Sequence, residues 1–384
     1  MSRTSEVSVS DLRDSPRALE PSVVRAGTHR ARTPEQTLET LSPLLAEFGV
    51  TRVADITWLD DLGIPVYQAA RPMSRSLALS QGKGITHDLA RISAIMETLE
   101  SRAAETVSIC RLSAAARDLD LPYDVGRLAR PGFADLARNA RLRWAPAVEL
   151  RSGAATFLPF DYVSLDWCVQ DSWAPVIFPS TSNGLASGNT MAEAMLHGLL
   201  EVVERATEPL TDGTRVVARD SIDVPFARHL VEIIDASDSA ISVRFDPNPW
   251  GICVFSASLR NPAYPRFFGG HGAHLDPDVA LCRAITEAAQ SRATHIAGSR
   301  DDMGAGTYQF THYGPREALP EATVTFPDAI RASPLRTSGD IVADLAAVVD
   351  ALGDHPVLVC DLTLAPGVHV AKVVVPGLSG SGED

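Results

Sequence analysis

Residues 184–205, GLASGNTMAEAMLHGLLEVVER, run from a stretch of small residues straight into a strong helical pattern, and their reading decides the architecture. The pattern extends from Asn189 to Thr207, with Leu196, Leu199 and Val203 on one arc. At about 100° per residue, Asn189, Glu193, His197, Glu201 and Glu204 project within roughly 120° of one another on the adjoining arc. Surface helices commonly place Lys or Arg four residues from Glu, because like charges at that spacing repel. Here three glutamates have only Arg205 for company. The Gly, Ala and Ser residues before the helix read as a loop whose free backbone N–H groups, at a helix N-terminus, form a seat for an anion.

Two other segments repeat this design. The pattern from His87 to about Ala104 is helical, and Ser93, Glu97 and Glu100 stand on it at i, i+4 and i+7. The pattern from 277 to 297 is helical too, with Arg283, Glu287 and Gln290 at the same spacing. The chain holds only two lysines, Lys83 and Lys372, which makes Lys83 in Ser80-Gln81-Gly82-Lys83-Gly84 conspicuous. That element shares a Gly-Lys pair with a phosphate-binding loop but lacks its first glycine and its Ser or Thr after Lys, so a conventional P-loop is not expected. Carboxylates alone repel a phosphate, whereas carboxylates holding Mg²⁺ attract one. If the three faces converge, glutamates holding Mg²⁺ would bridge a nucleoside triphosphate, with Asn189, Gln290, Arg205 and Lys83 contacting phosphate or base.

The rest of the chain alternates strand and helix patterns. A helix begins at Thr33 with Pro34 at its first position, Gln36 completing a capping box, and Leu38, Leu41, Leu45 and Phe48 on one stripe before Gly49. Extended segments are expected at 51–58, 64–70, 76–80, 142–150, 156–167, 241–246, 250–259, 265–269, 356–363 and 369–375, with helices near 112–120, 132–140 and 340–352. This interleaving implies an α/β fold, a mixed sheet with packed helices, either as one large unit or as two lobes. Residues 1–30 read as a flexible arm, 31–378 as the catalytic unit and 379–384 as a flexible tail.

Composition excludes several classes. The chain has 384 residues, 45% hydrophobic and 21% charged, with net charge −14, so neither nucleic acid nor an anionic membrane is an expected partner. No apolar run is long enough to span a bilayer, and no signal peptide precedes the first helix, which reads as a cytoplasmic protein. The cysteines, Cys110, Cys168, Cys253, Cys282 and Cys360, are odd in number and scattered, which excludes a disulfide framework and a zinc ribbon.

The ordered set Ser80-Gln81-Gly82-Lys83-Gly84, Ser93-x-x-x-Glu97-x-x-Glu100, Gly184 to Arg205, and Arg283-Ala284-x-x-Glu287-Ala288-x-Gln290-Ser291-Arg292 resembles the YcaO-domain family over about residues 27–378. Gly49 to Asp55, Gly63-Ile64-Pro65-Val66, Arg71-Pro72 and Gly298-Ser299-Arg300-Asp301-Asp302 resemble most the stand-alone members that accompany TfuA. The resemblance implies an ATP- and Mg²⁺-dependent enzyme acting on a backbone amide of a ribosomally made precursor peptide. A nucleophile adds to the carbonyl, ATP phosphorylates the oxyanion and phosphate departs. It also implies that Glu97, Glu100, Glu193, Glu201 and Glu204 serve metal and phosphate, with Ser93, Asn189, Arg205, Glu287 and Gln290 around the nucleotide. Ala206 stands where the family often has aspartate, and Ala186 where some members have serine.

The closing residues, Pro376 to Asp384, lack the alternating prolines of azoline-forming members, which turns the expectation toward thioamide formation with a TfuA-like partner. Azoline or macroamidine formation is the alternative, and a non-catalytic nucleotide-binding subunit the second. The resemblance implies a homodimer. His271 and His274 read as structural loop residues, His197 as a partner for the carboxylates, and Trp58, Trp144, Trp167, Trp173 and Trp250 as core or pocket wall.

Overall fold

The structure is a computed structural model that describes residues 21–23, 27–107, 112–168, 175–208, 210, 213–261, 264–303 and 319–378. Most of the arm and the tail read from the sequence, together with Cys110 and Trp173, lie outside the described residues. In chain order the first elements are α1 (Pro34–Leu41), β1 (Arg52–Asp55), β2 (Val66–Ala70), β3 (Leu79–Lys83), α2 (His87–Glu105), β4 (Leu112–Ala115), α3 (Ala134–Asn139), β5 (Arg141–Glu149), β6 (Ala155–Pro159) and α4 (Phe160–Val163). There follow β7 (Leu185–Gly188), α5 (Met191–Thr207), β8 (Arg215–Val216), α6 (Pro225–Asp235), β9 (Ala240–Phe245), β10 (Cys253–Asn261), β11 (Tyr264–His274), α7 (Pro277–Ala297), α8 (Phe326–Arg331), α9 (Ile341–Ala351), β12 (Leu358–Asp361) and β13 (His369–Val374).

The strands form three sheets ordered β1-β2-β3, β11-β10-β9-β8 and β4-β5-β12-β13-β7, the last with β6 beside β5. Each sheet carries one of the three carboxylate helices. Helix α2 packs on β2 and β3, α5 on β7 and β13, and α7 on β10 and β11. The apolar arc of α5 is buried as its periodicity requires, with Leu199 and Val203 at 0% exposure, among Val373, Leu345 and Val348. Helix α7 joins Phe245, Phe255 and Phe326, with Phe255 and Phe326 stacked at 5.7 Å between centroids.

Glycine sets how closely two of these helices sit. A Cβ on Gly82 of β3 would meet Ala94 N of α2 at 2.0 Å, and one on Gly270 of β11 would meet Ala284 O of α7 at 2.3 Å. The strand backbone therefore lies directly on the helix, opposite alanines, and no other residue fits there. Gly82, just beyond the extended segment expected at 76–80, is a packing glycine inside β3, where Lys83 stands opposite Val66.

The α/β class and the carboxylate helices agree with the sequence reading, and local boundaries differ. The Thr33 capping box forms as expected, but α1 ends at Leu41 and tightens into a 3₁₀ turn at Ser42–Leu44, because Pro43 has no N–H for the α-ladder. Residues 112–120, expected as a helix, supply β4 and a 3₁₀ turn. Pairing of Leu112 through Ala115 with β5 overrides the alanine-rich local preference. The stretch 156–167 breaks after Pro159 into α4, and the 183–188 loop contains β7, paired antiparallel to β13. The helical pattern expected from Asn189 begins instead at Met191, with Thr190 as N-cap. Helix α6 had no assignment in the sequence reading.

Candidate active site

Every residue singled out as a site candidate lines one cavity of about 650 Å³: Lys83, Ser93, Glu97, Glu100, Asn189, Glu193, Glu201, Glu204, Arg205, Arg283, Glu287 and Gln290. The three carboxylate faces converge because each helix turns its apolar face to its own sheet and its acidic face to the space between them.

The electrostatics divide the carboxylates into two groups. Burial pushes Glu97 up to about 7, with Lys83 and Arg300 opposing. Burial likewise pushes Glu100 up to about 8, opposed by its bonds from Ser187, and Glu201 up to about 7. Glu204 is also raised, by burial and then by Glu287. Glu287 goes the other way: the charge and hydrogen bond of Lys83, at 3.0 Å, outweigh its burial and hold it ionised. A dense set of buried carboxylates that resists ionisation fits a site completed by cations.

Several oxygens are already committed. Glu100 Oε1 accepts from Ser187 N–H at 2.8 Å and Ser187 Oγ at 2.5 Å, and Glu204 Oε2 accepts from Ala273 N–H at 2.9 Å. The Ser187 amide, expected to be free for an anion, is therefore used by Glu100. Glu193 has both oxygens occupied. Oε1 accepts from Arg30 Nη1 at 3.2 Å and Oε2 from Ala31 N–H at 2.9 Å, while Asn189 Nδ2 reaches both at 3.2 Å. Glu193 thus gathers the N-terminal segment over the cavity. Residues 28–30, read as the end of a loose arm, are docked, with His29 against Asp276 at 3.1 Å.

The histidines also differ from expectation. His197 Nε2 meets Arg283 Nη1 at 2.8 Å, not a carboxylate. A guanidinium only donates, so Nε2 accepts, and burial followed by the Arg283 charge keeps the ring neutral. His271 and His274 lie on β11, not in a loop. His274 is buried edge-on to His29 at 4.9 Å. Burial pushes the Cys282 thiol up, away from the thiolate form that nucleophilic chemistry uses. Trp144 is core and Trp167 is pocket wall, but Trp58 is 74% exposed, outside both roles.

The sequence reading missed Arg30, Arg32, Thr37 and Arg300, which line the same cavity. Arg30 and Arg32 lack a periodic context, whereas the Gly298–Asp302 motif was noticed without a place for it. Lys372, the other lysine, is fully buried and donates to Thr181 C=O at 2.5 Å.

The donor set fits Mg²⁺: hard carboxylate oxygens beside cations able to hold phosphate. Mg²⁺ is commonly held by one or two carboxylates together with water and phosphate oxygens, which this set could complete.

Comparison with known proteins agrees with the geometry. A family model described as YcaO cyclodehydratase, ATP- and Mg²⁺-binding, matches residues 81–379. The chain is 41% identical over 369 residues to an uncharacterised protein of Mycobacterium tuberculosis, covering 92% of this chain and 83% of that one. It is 38% identical over 305 residues to a protein from the tfuA 3′ region of Rhizobium leguminosarum bv. trifolii, covering 73% and 70%. A heterocyclase solved with substrate and cofactor matches at TM-score 0.74 and 25% identity, over 95% of this chain and 55% of the other, so this chain spans about half of that protein. The YcaO protein of Methanopyrus kandleri, solved with AMPPCP and Mg²⁺, shares the fold at TM-score 0.73 and 24% identity, over 94% and 95%. The chain belongs to the YcaO family, whose members bind ATP and Mg²⁺. Among the described residues, no helix is long and apolar enough to cross a membrane.

Proposed function

We propose that this chain uses ATP and Mg²⁺ to modify a backbone amide of a ribosomally made peptide, forming a thioamide together with a TfuA-like partner. The observation that carries the reading is the convergence of Glu97, Glu100, Glu201, Glu204 and Glu287 from three helices on three sheets. The relative from a tfuA region supports the partner, and the family match supports ATP and Mg²⁺. Residues 31–378 are proposed as the catalytic unit, with flanking segments at either end, and the active form as a homodimer in the cytoplasm.

In this reading sulfide adds to the amide carbon, and the oxyanion takes the γ-phosphoryl group of ATP. Phosphate then leaves with the former amide oxygen, giving thioamide, ADP and phosphate. Bound Mg²⁺ would neutralise triphosphate charge, held through Glu97, Glu100, Glu201 or Glu204. Arg205, Arg283 and Lys83 are positioned beside those carboxylates to orient phosphate oxygens, which is most of what phosphoryl transfer requires of a protein. Asn189 and Thr37, bonded at 2.8 Å and buried, offer polar atoms to the nucleotide, as do Ser93 and Gln290 on the cavity wall. Glu193 orders the N-terminal wall through Arg30 and Ala31.

The test is incubation with ATP, Mg²⁺, sulfide, a TfuA-like protein and a candidate precursor peptide, followed by mass spectrometry and phosphate assay. Exchange of sulfur for oxygen with matching phosphate release is expected. Loss of water would replace the thioamide with an azoline, and a peptide that triggers no phosphate release would favour a non-catalytic subunit.

A further inference from the structure

Beside its carboxylates the cavity wall carries two apolar patches. One patch, at Pro34, Ile92 and Met96, is backed by buried Thr37 and Asn189. The other, at Leu77, Leu165 and Trp167, reaches the surface, where Trp167 is 50% exposed and Met73, in the same loop as Leu77, is 88% exposed.

Three separate segments are tied together around this open end. Trp167 N–H donates to Arg75 C=O at 2.9 Å, Arg75 Nη1 bonds the Asp166 carboxylate at 2.9 Å, and Ala78 N–H donates to the Asp301 carboxylate at 2.8 Å. Beneath the loop, Glu105 Oε1 accepts from Arg71 Nη2 and Ser74 Oγ at 2.6 Å, Ser76 N–H at 2.9 Å and Ser76 Oγ at 2.5 Å. The Trp167 indole N–H donates to Ser180 Oγ at 2.7 Å. The ring is thereby held by its one polar atom while half its surface stays open. Bonds of this kind restrain the rim, and restrained exposed aromatics are frequent anchors of recognition.

We propose that this rim is the acceptor subsite, taking an extended stretch of peptide whose apolar side chain, next to the amide to be modified, rests on Trp167, Leu77 and Leu165. The inference rests on the reading of the chain as a peptide-amide modifying enzyme. A peptide continues on both sides of its reacting amide, so it needs the open end, whereas a nucleotide base terminates and fits the end closed by Thr37 and Asn189. Ser101, Ser180 and Ser182 lie along the same wall and supply hydroxyls for the peptide's backbone N–H and C=O, which would otherwise be buried unpaired. Glu97 and Glu100 line the same cavity, so an acidic side chain at the rim is repelled while an apolar one gains cover.

The experiment uses the full chain with Mg²⁺ and a non-hydrolysable ATP analogue, titrated with acetylated, amidated tetraglycine peptides carrying Leu, Phe or Asp at the second position. Peptide affinity is read by saturation-transfer NMR. The wild-type chain is expected to prefer Leu and Phe over Asp by at least about fivefold. Trp167→Ala should erase that preference and Trp167→Phe should keep most of it, with nucleotide affinity unchanged to within about twofold in both. Leu77→Asp should reduce Leu and Phe binding independently. An unchanged preference in Trp167→Ala overturns the proposal. So does a parallel loss of nucleotide affinity, or a wild-type chain with no apolar preference. The underlying reading fails separately, if the wild-type chain does not bind the Mg²⁺ nucleotide at all.

Discussion

The middle of the cavity and its open rim are built by opposite means. The middle takes its groups from α2, α5 and α7, each spaced at helical period and each seated on its own sheet. The rim takes its groups from residues 75–78, 165–167 and 300–302, which have no shared period and are joined by hydrogen bonds and an ion pair between separate segments. The difference teaches that charge can be concentrated by repeating one local pattern, whereas a surface that fits a flexible substrate is assembled from loops.

The sharpest way to break this comparison is to neutralise the middle. Replacing Glu97 and Glu201 together by Gln should lower ATP turnover by at least about 100-fold, roughly the loss of one or two strong electrostatic contacts in a transition state. The fold should survive, because two buried carboxyls that already resist ionisation become neutral amides, with Tm checking this. A variant that unfolds would show that the carboxylates hold the helices together.

Gly270→Val attacks the seating instead. With Ala284 O only 2.3 Å from the new Cβ, α7 must lift from β11, and a loss of about 3 kcal/mol is expected in urea unfolding. Activity should fall with stability, since Arg283 and Glu287 move with the helix.

Glu105→Gln tests the root of the rim. Bonds from Arg71, Ser74 and Ser76 overcome burial and hold Glu105 down at about 2, below its ordinary 4.5. A carboxyl depressed in the folded state stabilises fully above its unfolded value. That contribution fades as pH falls from about 4.5 toward 2. The variant should be less stable by ~2 kcal/mol at pH 7, and the difference from wild type should shrink on acidification through that window, read by urea midpoints.

The smallest effect is expected at Arg75→Ala. The Arg75 side of its ion pair with Asp166 is exposed, so stability should change by less than about 1 kcal/mol, as thermal melting would report. Nucleotide affinity should not change. A loss of nucleotide binding here would join the two regions that the comparison separates.

Much of the middle was legible because its chemistry is local. Ser93, Glu97 and Glu100, or Glu193, Glu201 and Glu204, share a face by helix geometry alone, and the shortage of lysine marks that face as unusual. Glu193 shows the limit of such reading: it is on the right face, yet its oxygens are taken by Arg30 and Ala31, more than 150 residues away in sequence. His197 is similar, since its partner Arg283 sits on another helix. The 112–120 segment was misread because strand pairing with β5 supplied what local preference did not.

Taken by itself, the order of residues determined three helices with carboxylates on a polar face, an α/β class and the kind of ligand such faces attract, because helical period and charge act over a few residues. Only the tertiary structure decided that those helices meet, which carboxylates stay free, and that Trp167, Leu77 and Arg300 border one opening. Those outcomes depend on contacts between distant segments, where sheet pairing, backbone-on-backbone seating and buried hydrogen bonds outweigh anything a short stretch of chain encodes.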